Sequence, residues 1–80
     1  MGLRLRIVSP EKVIFDGEIV SVTAPGVSGE FQILKDHAPL ISCLDKGKVV
    51  YVDSEGQHEM TISSGFVEVN KNKVSLCVEL

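Results

Sequence analysis

Apolar and polar residues alternate with a period of two through most of this chain. Leu3, Leu5 and Ile7 alternate with Arg4 and Arg6, the pattern of a half-buried strand. Ser9-Pro10-Glu11 interrupts it, since proline lacks a ladder donor. Val13 and Phe15 continue an apolar face up to Asp16-Gly17, a turn signal. Residues 18–23 predict a further strand through Ile19, Val20 and Val22, and Ala24 to Gly29 reads as a loop. A short strand is expected over 31–34, then a polar stretch, Lys35-Asp36-His37. Pro39 holds Ala38 extended, which excludes a helix there. Residues 40–44 form the next strand, closed by an Asp45-Lys46-Gly47 turn. Strands at 48–52 and 57–63 flank Asp53-Ser54-Glu55-Gly56, and strands at 66–69 and 74–78 flank Asn70-Lys71-Asn72-Lys73, two hairpin patterns. Turn signals recur about every 8–12 residues, the spacing of a sandwich or small barrel, and no window carries a helical period. The chain reads as one all-β domain, residues 1–80, a compact antiparallel sandwich.

Two segments break the alternation. Val49, Val50 and Val52 put valine on both faces of one predicted strand, and Phe66, Val67 and Val69 do the same. Two readings stay open: ordinary surface valine, or an apolar patch covered by a partner.

Composition narrows the function classes. Eighty residues bury only roughly 60–65% of their unfolded surface, but 44% of them are hydrophobic and spread along the whole chain. Eight basic against 11 acidic residues give a net charge of −3, without the basic stripe of a nucleic-acid binder. No apolar run nears the ~20 residues of a membrane-spanning helix. The start, with Arg4 and Arg6 between leucines, is unlike a signal peptide. Met1-Gly2 suggests myristoylation, but Arg6 stands where that motif needs Ser or Thr. The expectation is a soluble, intracellular protein with no lipid anchor.

Candidate chemistry is sparse. Cys43 and Cys77 are too few for a disulfide scaffold and read as reduced thiols. With His37 and His58 they form no metal-ligand spacing. Cys43 and His37 could be nucleophile and base, but Cys43 shares its predicted strand face with Ile41, and a cysteine buried among apolar groups is inert. Cys77 falls in the register of Ser75 and Glu79 and should be partly exposed. Gly26-Val27-Ser28-Gly29 matches a GxxG clamp for RNA, yet Pro25 and Glu30 flank it, and a glycine turn explains it better. His58 alternates with Met60 and Ile62 and should join an apolar face, held by a hydrogen bond. No active site, metal site or cofactor motif emerges.

A set of segments, in order and at kept spacing, resembles a known family. They are Leu3-x-Leu5-x-Ile7-Val8-Ser9-Pro10-Glu11, Phe15-Asp16-Gly17-Glu18, Pro25-Gly26-x-x-Gly29-Glu30-Phe31, Ile33-Leu34-x-x-His37-Ala38-Pro39-Leu40-Ile41 and Ser63-Ser64-Gly65-Phe66-Val67-Glu68-Val69. Together they resemble the N-terminal domain of the F-type ATP synthase epsilon subunit across essentially the whole chain. The resemblance implies a flattened antiparallel sandwich of about ten short strands. It also implies a non-catalytic rotor part, bound to the gamma subunit and resting on the c-subunit ring, that couples proton-driven rotation to ATP synthesis. Its place would be the cytoplasmic face of the bacterial inner membrane, peripheral and held through the complex. Matched positions give Ser9, His37 and Ser42 as gamma contacts, and Gly29, Glu30 and Phe31 as contacts to the c ring.

Some positions depart from that family's pattern. Gln32 and Ser64 stand where glycine is frequent, and Lys35-Asp36 stands where Pro-Gly is frequent, which bears on loop conformation. Family members usually continue into a helical hairpin, whereas this sequence ends at Leu80, and the expectation is a naturally short form. The alternative is a lipoyl- or biotinyl-type carrier domain modified at Lys46, since Asp45-Lys46 in a turn imitates the modified hairpin tip of such domains. The adjoining Gly47 and the lack of matching halves around Lys46 weigh against it.

Overall fold

The computed structural model describes residues 2–80. Nine strands follow in sequence: β1 (Leu3–Val8), β2 (Val13–Ile19), β3 (Ser21–Gly26), β4 (Gly29–Ile33), β5 (Leu40–Leu44), β6 (Gly47–Asp53), β7 (Gly56–Ile62), β8 (Ser64–Asn70) and β9 (Lys73–Glu79). Their order is β2-β1-β9-β8-β5-β3-β6-β7, with β4 also paired to β3. A single residue pair, Gly26 with Leu44, joins β5 to β3. The sheet therefore divides into a β2-β1-β9-β8-β5 half and a β4-β3-β6-β7 half, and the two fold over one another.

Both halves feed one core. Leu3, Leu5, Ile7, Val67, Val69, Val74 and Leu76 from the first half cluster with Val22, Ile33, Val49 and Ile62 from the second, each no more than 1% exposed. Alternation explains the selection: β1 reads buried-exposed from Leu3 to Ile7, and β9 does the same from Lys73 to Leu76. Along the closing seam, the Phe15 ring of β2 lies 4.6 Å from Tyr51 of β6. Tyr51 stacks on His58 at 5.0 Å.

Nine strands agree with the about ten expected. Four other expectations change. The pairing is not wholly antiparallel, since β1 and β9 run parallel. Terminal strands that meet this way leave no local turn signal. Asp16-Gly17 is no turn, because β2 runs straight through it. Gly17 instead makes room for a ring: a Cβ there would stand 3.1 Å from Phe15 Cζ. The break falls at Val20, so residues 18–23 divide between β2 and β3. Pro25 and Gly26 belong to β3, which shrinks the expected loop to Val27 and Ser28.

The valine-rich strand also resolves. Val49 is buried and Tyr51 packs against the core, while Val50 and Val52 lie half-buried on the outer side. On β8, Val67 and Val69 point inward and Phe66 points out, 48% exposed.

Candidate docking site

Phe66 marks the feature that the fold leaves unexplained. The register places Phe66 beside Cys43 of β5 and Cys77 of β9, Cys77 beside Val8 of β1, and Val8 beside Val13 of β2. One apolar row thus crosses all five strands of the β1 half on its outer face. Val13 and Phe66 are each 48% exposed, and Ile41, next along β5, is 75% exposed. At the row's β1 end, Val8, Ser9, Pro10, Phe66 and Cys77 line a shallow apolar groove. At its β5 end the Val27 amide donates to the Cys43 carbonyl at 3.2 Å, and Val27 is itself 60% exposed.

Beyond this row the same face turns polar. Arg4 of β1 donates to the Asp16 carboxylate of β2 at 2.9 Å, with Arg6 at 4.0 Å from the same group. Glu68 and Ser75 fill the neighbouring register positions. These exposed ion pairs contribute about 0–1 kcal/mol each and hold no buried charge. The face is therefore apolar along one end and charge-balanced toward the other.

Cys43 overturns the expectation of a buried thiol. It does share a strand face with Ile41, but that face points outward, and Cys43 is exposed. Leu40 and Leu44 take the inner side of β5 and carry Ser42 with them. Cys77 is partly exposed, as its register implies. The two thiols flank Phe66 on separate strands. Two strand spacings, roughly 9–10 Å, exceed what a disulfide spans.

The residues carried over from the resemblance fall in different places. Ser9 sits at the end of the apolar row, its amide donating to the Lys12 carbonyl at 2.9 Å. Ser42 is half-buried on the inner side of β5, its hydroxyl donating to the Cys43 carbonyl at 3.2 Å. His37 lies at the opposite end of the sandwich from Ser9, in the segment between β4 and β5, beside the β8–β9 turn. It is half-buried, and its Nδ1 is 2.7 Å from the Ala38 carbonyl. The fold brings Ser9 to the apolar row, leaves Ser42 on the reverse of the same strand as Cys43, and sets His37 apart.

Gly29, Glu30 and Phe31 open β4. Gly29 adopts φ +131°, which an L side chain rarely tolerates. Glu30 is exposed and pairs with Pro25, so the hairpin tip belongs to Val27 and Ser28 rather than to Glu30. The Phe31 ring turns inward against Gly26 and the core. This tip stands at the same end of the sandwich as the apolar row.

The polar cluster with shifted titration is on the other half. His58 of β7 lies half-buried on the inner face with Met60 and Ile62, as its alternation implies. Its Nε2 is 2.9 Å from Asp53 Oδ1, which also accepts the Glu55 amide at 2.8 Å. The His58 hydrogen bond, then the Glu55 amide, hold the Asp53 carboxyl below its ordinary 3.8. Burial, then the Asp53 charge, push the Tyr51 phenol up. Asp53 here closes a hairpin turn and fixes the His58–Tyr51 stack. Among the described residues no group of three or more His, Cys, Asp or Glu is placed to hold a metal ion. No helix there is long and apolar enough to cross a membrane.

Sequence reasoning missed the row itself. Its members come from five strands, and only the register reveals that they align. A partial signal existed in Phe66, an aromatic adjoining two valines on a strand that needs one inner face.

The chain has relatives among known proteins. Residues 2–80 match the family described as the ATP synthase delta/epsilon chain, beta-sandwich domain. The chain is 46% identical over 79 residues to the ATP synthase epsilon chain of Chlorobium limicola, covering 98% of this chain and 90% of that one. It is 42% identical over 78 residues to the epsilon chain of Lawsonia intracellularis, covering 98% of this chain but 59% of that one. The fold matches a chain in a Euglena gracilis mitochondrial ATP synthase structure with a TM-score of 0.90 at 21% identity, over 96% of this chain and 50% of that one. A chain from the central stalk and c ring of Tetrahymena thermophila mitochondrial ATP synthase gives 0.84 at 17% identity, over 100% of this chain and 65% of that one. A carrier domain modified at Lys46 gains no support from these likenesses, although Lys46 is exposed beside its turn. By full-length match to the family and by close relatives of nearly its own length, the chain belongs to the ATP synthase delta/epsilon chain β-sandwich family.

Proposed function

We propose that this chain is the epsilon-type coupling subunit of an ATP synthase central stalk, without catalytic chemistry of its own. It docks on the gamma subunit through the outer face of its β1 half and rests on the c ring through the β3–β4 hairpin. The carrying observation is the solvent-facing row Val13–Val8–Cys77–Phe66–Cys43, with Ile41 beside it. Exposed apolar groups aligned over five strands contribute nothing to the sandwich core, and a contiguous patch of this kind marks a protein contact.

Coupling by such a part is mechanical. A rotor joint must not creep, so its two surfaces need a well-packed apolar centre and about 1,200–2,000 Å² of total buried area. Phe66 supplies an aromatic anchor of the type that dominates binding energy. Ser9 lies on the rim of the apolar row. Ser42 lies on β5 where its pairing with β3 has ended, next to the Cys43 carbonyl that accepts the Val27 amide. His37 extends the contact toward the far end of the face. At the near end, Gly29 and Phe31 brace Glu30 and the Val27-Ser28 tip for the polar loops of the c ring. Its proposed place is the cytoplasmic face of the bacterial inner membrane, held peripherally by the complex; the reading leans on bacterial relatives named as ATP synthase epsilon chains.

The test is titration of this chain with purified gamma subunit. A saturable one-to-one complex is the expected result, and its absence at micromolar concentrations of both proteins would overturn the reading.

A further inference from the structure

Two left-handed residues from distant parts of the chain face one another. Asp36 takes φ +66° and Asn72 takes φ +62°, values uncommon for any residue with a Cβ and best tolerated by Asp and Asn. The Asp36 amide donates to Asn72 Oδ1 at 2.6 Å, and Asn72 Nδ2 donates to Asp36 Oδ1 at 3.1 Å. The Asn72 carbonyl also accepts the Arg4 amide at 2.9 Å. One side chain thus ties the β8–β9 turn to the segment between β4 and β5, while its own carbonyl anchors the start of β1.

That segment has little else to hold it. Within residues 34–39 the other hydrogen bonds among the described residues are local: the His37 amide to the Leu34 carbonyl at 3.2 Å, and His37 Nδ1 with the Ala38 carbonyl at 2.7 Å. Among the described residues, Asn72 supplies the only hydrogen bonds that tie it to another element. Asp36 directly precedes His37, so the backbone conformation at 36 sets where the imidazole leaves the chain.

The His37 contact also has a chemical direction. A carbonyl can only accept, so Nδ1 must carry the proton. The neutral ring then offers Nε2 as an acceptor. The matching group on a partner is a donor: a hydroxyl, an amide N–H, or a cationic side chain.

We propose that Asn72 is a positioning residue, whose clasp on Asp36 holds His37 in place as the Nδ1–H tautomer with Nε2 presented to a hydrogen-bond donor on the partner. The proposal rests on the reading of His37 as a gamma contact, and the experiment separates the two.

Asn72→Gly is the informative variant. Glycine keeps the left-handed turn and removes only the clasping side chain, so the fold should persist. Nitrogen-15 NMR of the imidazole in the isolated chain should show the Nδ1–H tautomer in the wild type and a shift toward the Nε2–H form in Asn72→Gly. Affinity for gamma should fall about two- to tenfold, the effect of one misplaced hydrogen bond. A His37 spectrum indifferent to Asn72→Gly overturns the proposal. A shifted spectrum with unchanged affinity, together with full-strength binding by His37→Ala, upholds the clasp and instead removes His37 from the gamma contact.

Discussion

The two halves of the sandwich present opposite outer faces. On the β6 half, Thr23, Gln32, Lys48, Gln57, Glu59 and Thr61 surround the half-buried Val50 and Val52, and Lys48 pairs with Glu59 at 3.4 Å. On the β1 half, the apolar row runs from Val13 to Cys43 without a charged member. Their inner faces are alike, since both supply aliphatic residues to one core. An antiparallel sheet with one face in water normally alternates cleanly. The β6 half obeys this rule and the β1 half departs from it at one end only. Folding therefore accounts for the inner faces and for the polar outer face, and it does not account for the remaining row.

Removing the shared core should erase the contrast. Leu76 is fully buried between the halves, and Leu76→Ala should cost about 2–5 kcal/mol. Thermal melts would show it, and gamma binding would fail with the fold. A melt unchanged from wild type would mean that the core is not where the fold places it.

A charge on one face alone should sharpen the contrast. Phe66→Lys should leave the melt within a few degrees of wild type. It should weaken gamma binding by about 2 kcal/mol or more, roughly thirtyfold, the loss typical of an aromatic anchor. Thr61→Lys places the same charge on the polar face and should leave binding unchanged. Equal effects of the two variants would abolish the distinction.

The polar half has its own acid dependence. The Asp53 carboxyl, held below 3.8 by His58 and the Glu55 amide, titrates lower folded than unfolded. Its stabilisation is complete above the unfolded value and is lost as pH falls through the folded one. Melts at pH 6 and pH 3 should therefore show a smaller acid loss in Asp53→Asn than in wild type, an effect kept to the β6–β7 hairpin. An identical acid loss would remove Asp53 from the account.

The smallest effect belongs to the hairpin tip. Glu30 is exposed, so an ion pair with a c-ring loop is worth only about 0–1 kcal/mol and is screened by salt. Glu30→Lys should reduce coupling efficiency slightly at low ionic strength and not at high. No difference at any salt concentration would count against that contact.

The sequence allowed most strands to be read, and the reasons for the misses are physical. Apolar residues between turn signals located part of each strand, but alternation alone does not say which side faces in. On β5 both sides carry apolar residues, and Leu40 and Leu44 took the interior, which turned Ile41 and Cys43 out and Ser42 in. Asp16-Gly17 looked like a turn because glycine and aspartate are turn formers, yet Gly17 serves the Phe15 ring. Ala24-Pro25-Gly26 looked like a loop, but Pro25 on β3 faces Glu30 of β4 in a hairpin that tolerates it. The parallel β1–β9 pair and the five-strand row are long-range registers with no local signature. Ser9, His37 and Ser42 are expected as contacts on resemblance alone, and nothing in their spacing indicates that they lie on different sides and ends of the fold.

The wild-type protein carries its own probe of the central claim. Cys43 is exposed at one end of the apolar row, next to Phe66 in register. Its alkylation by a small thiol reagent can be followed by mass spectrometry, alone and at saturating gamma subunit. Docking through the outer face of the β1 half requires that gamma slow this reaction by about tenfold or more, as expected for a group enclosed by a water-excluding contact. A rate at Cys43 that gamma leaves unchanged, in a sample where the complex has formed, would contradict docking through that face.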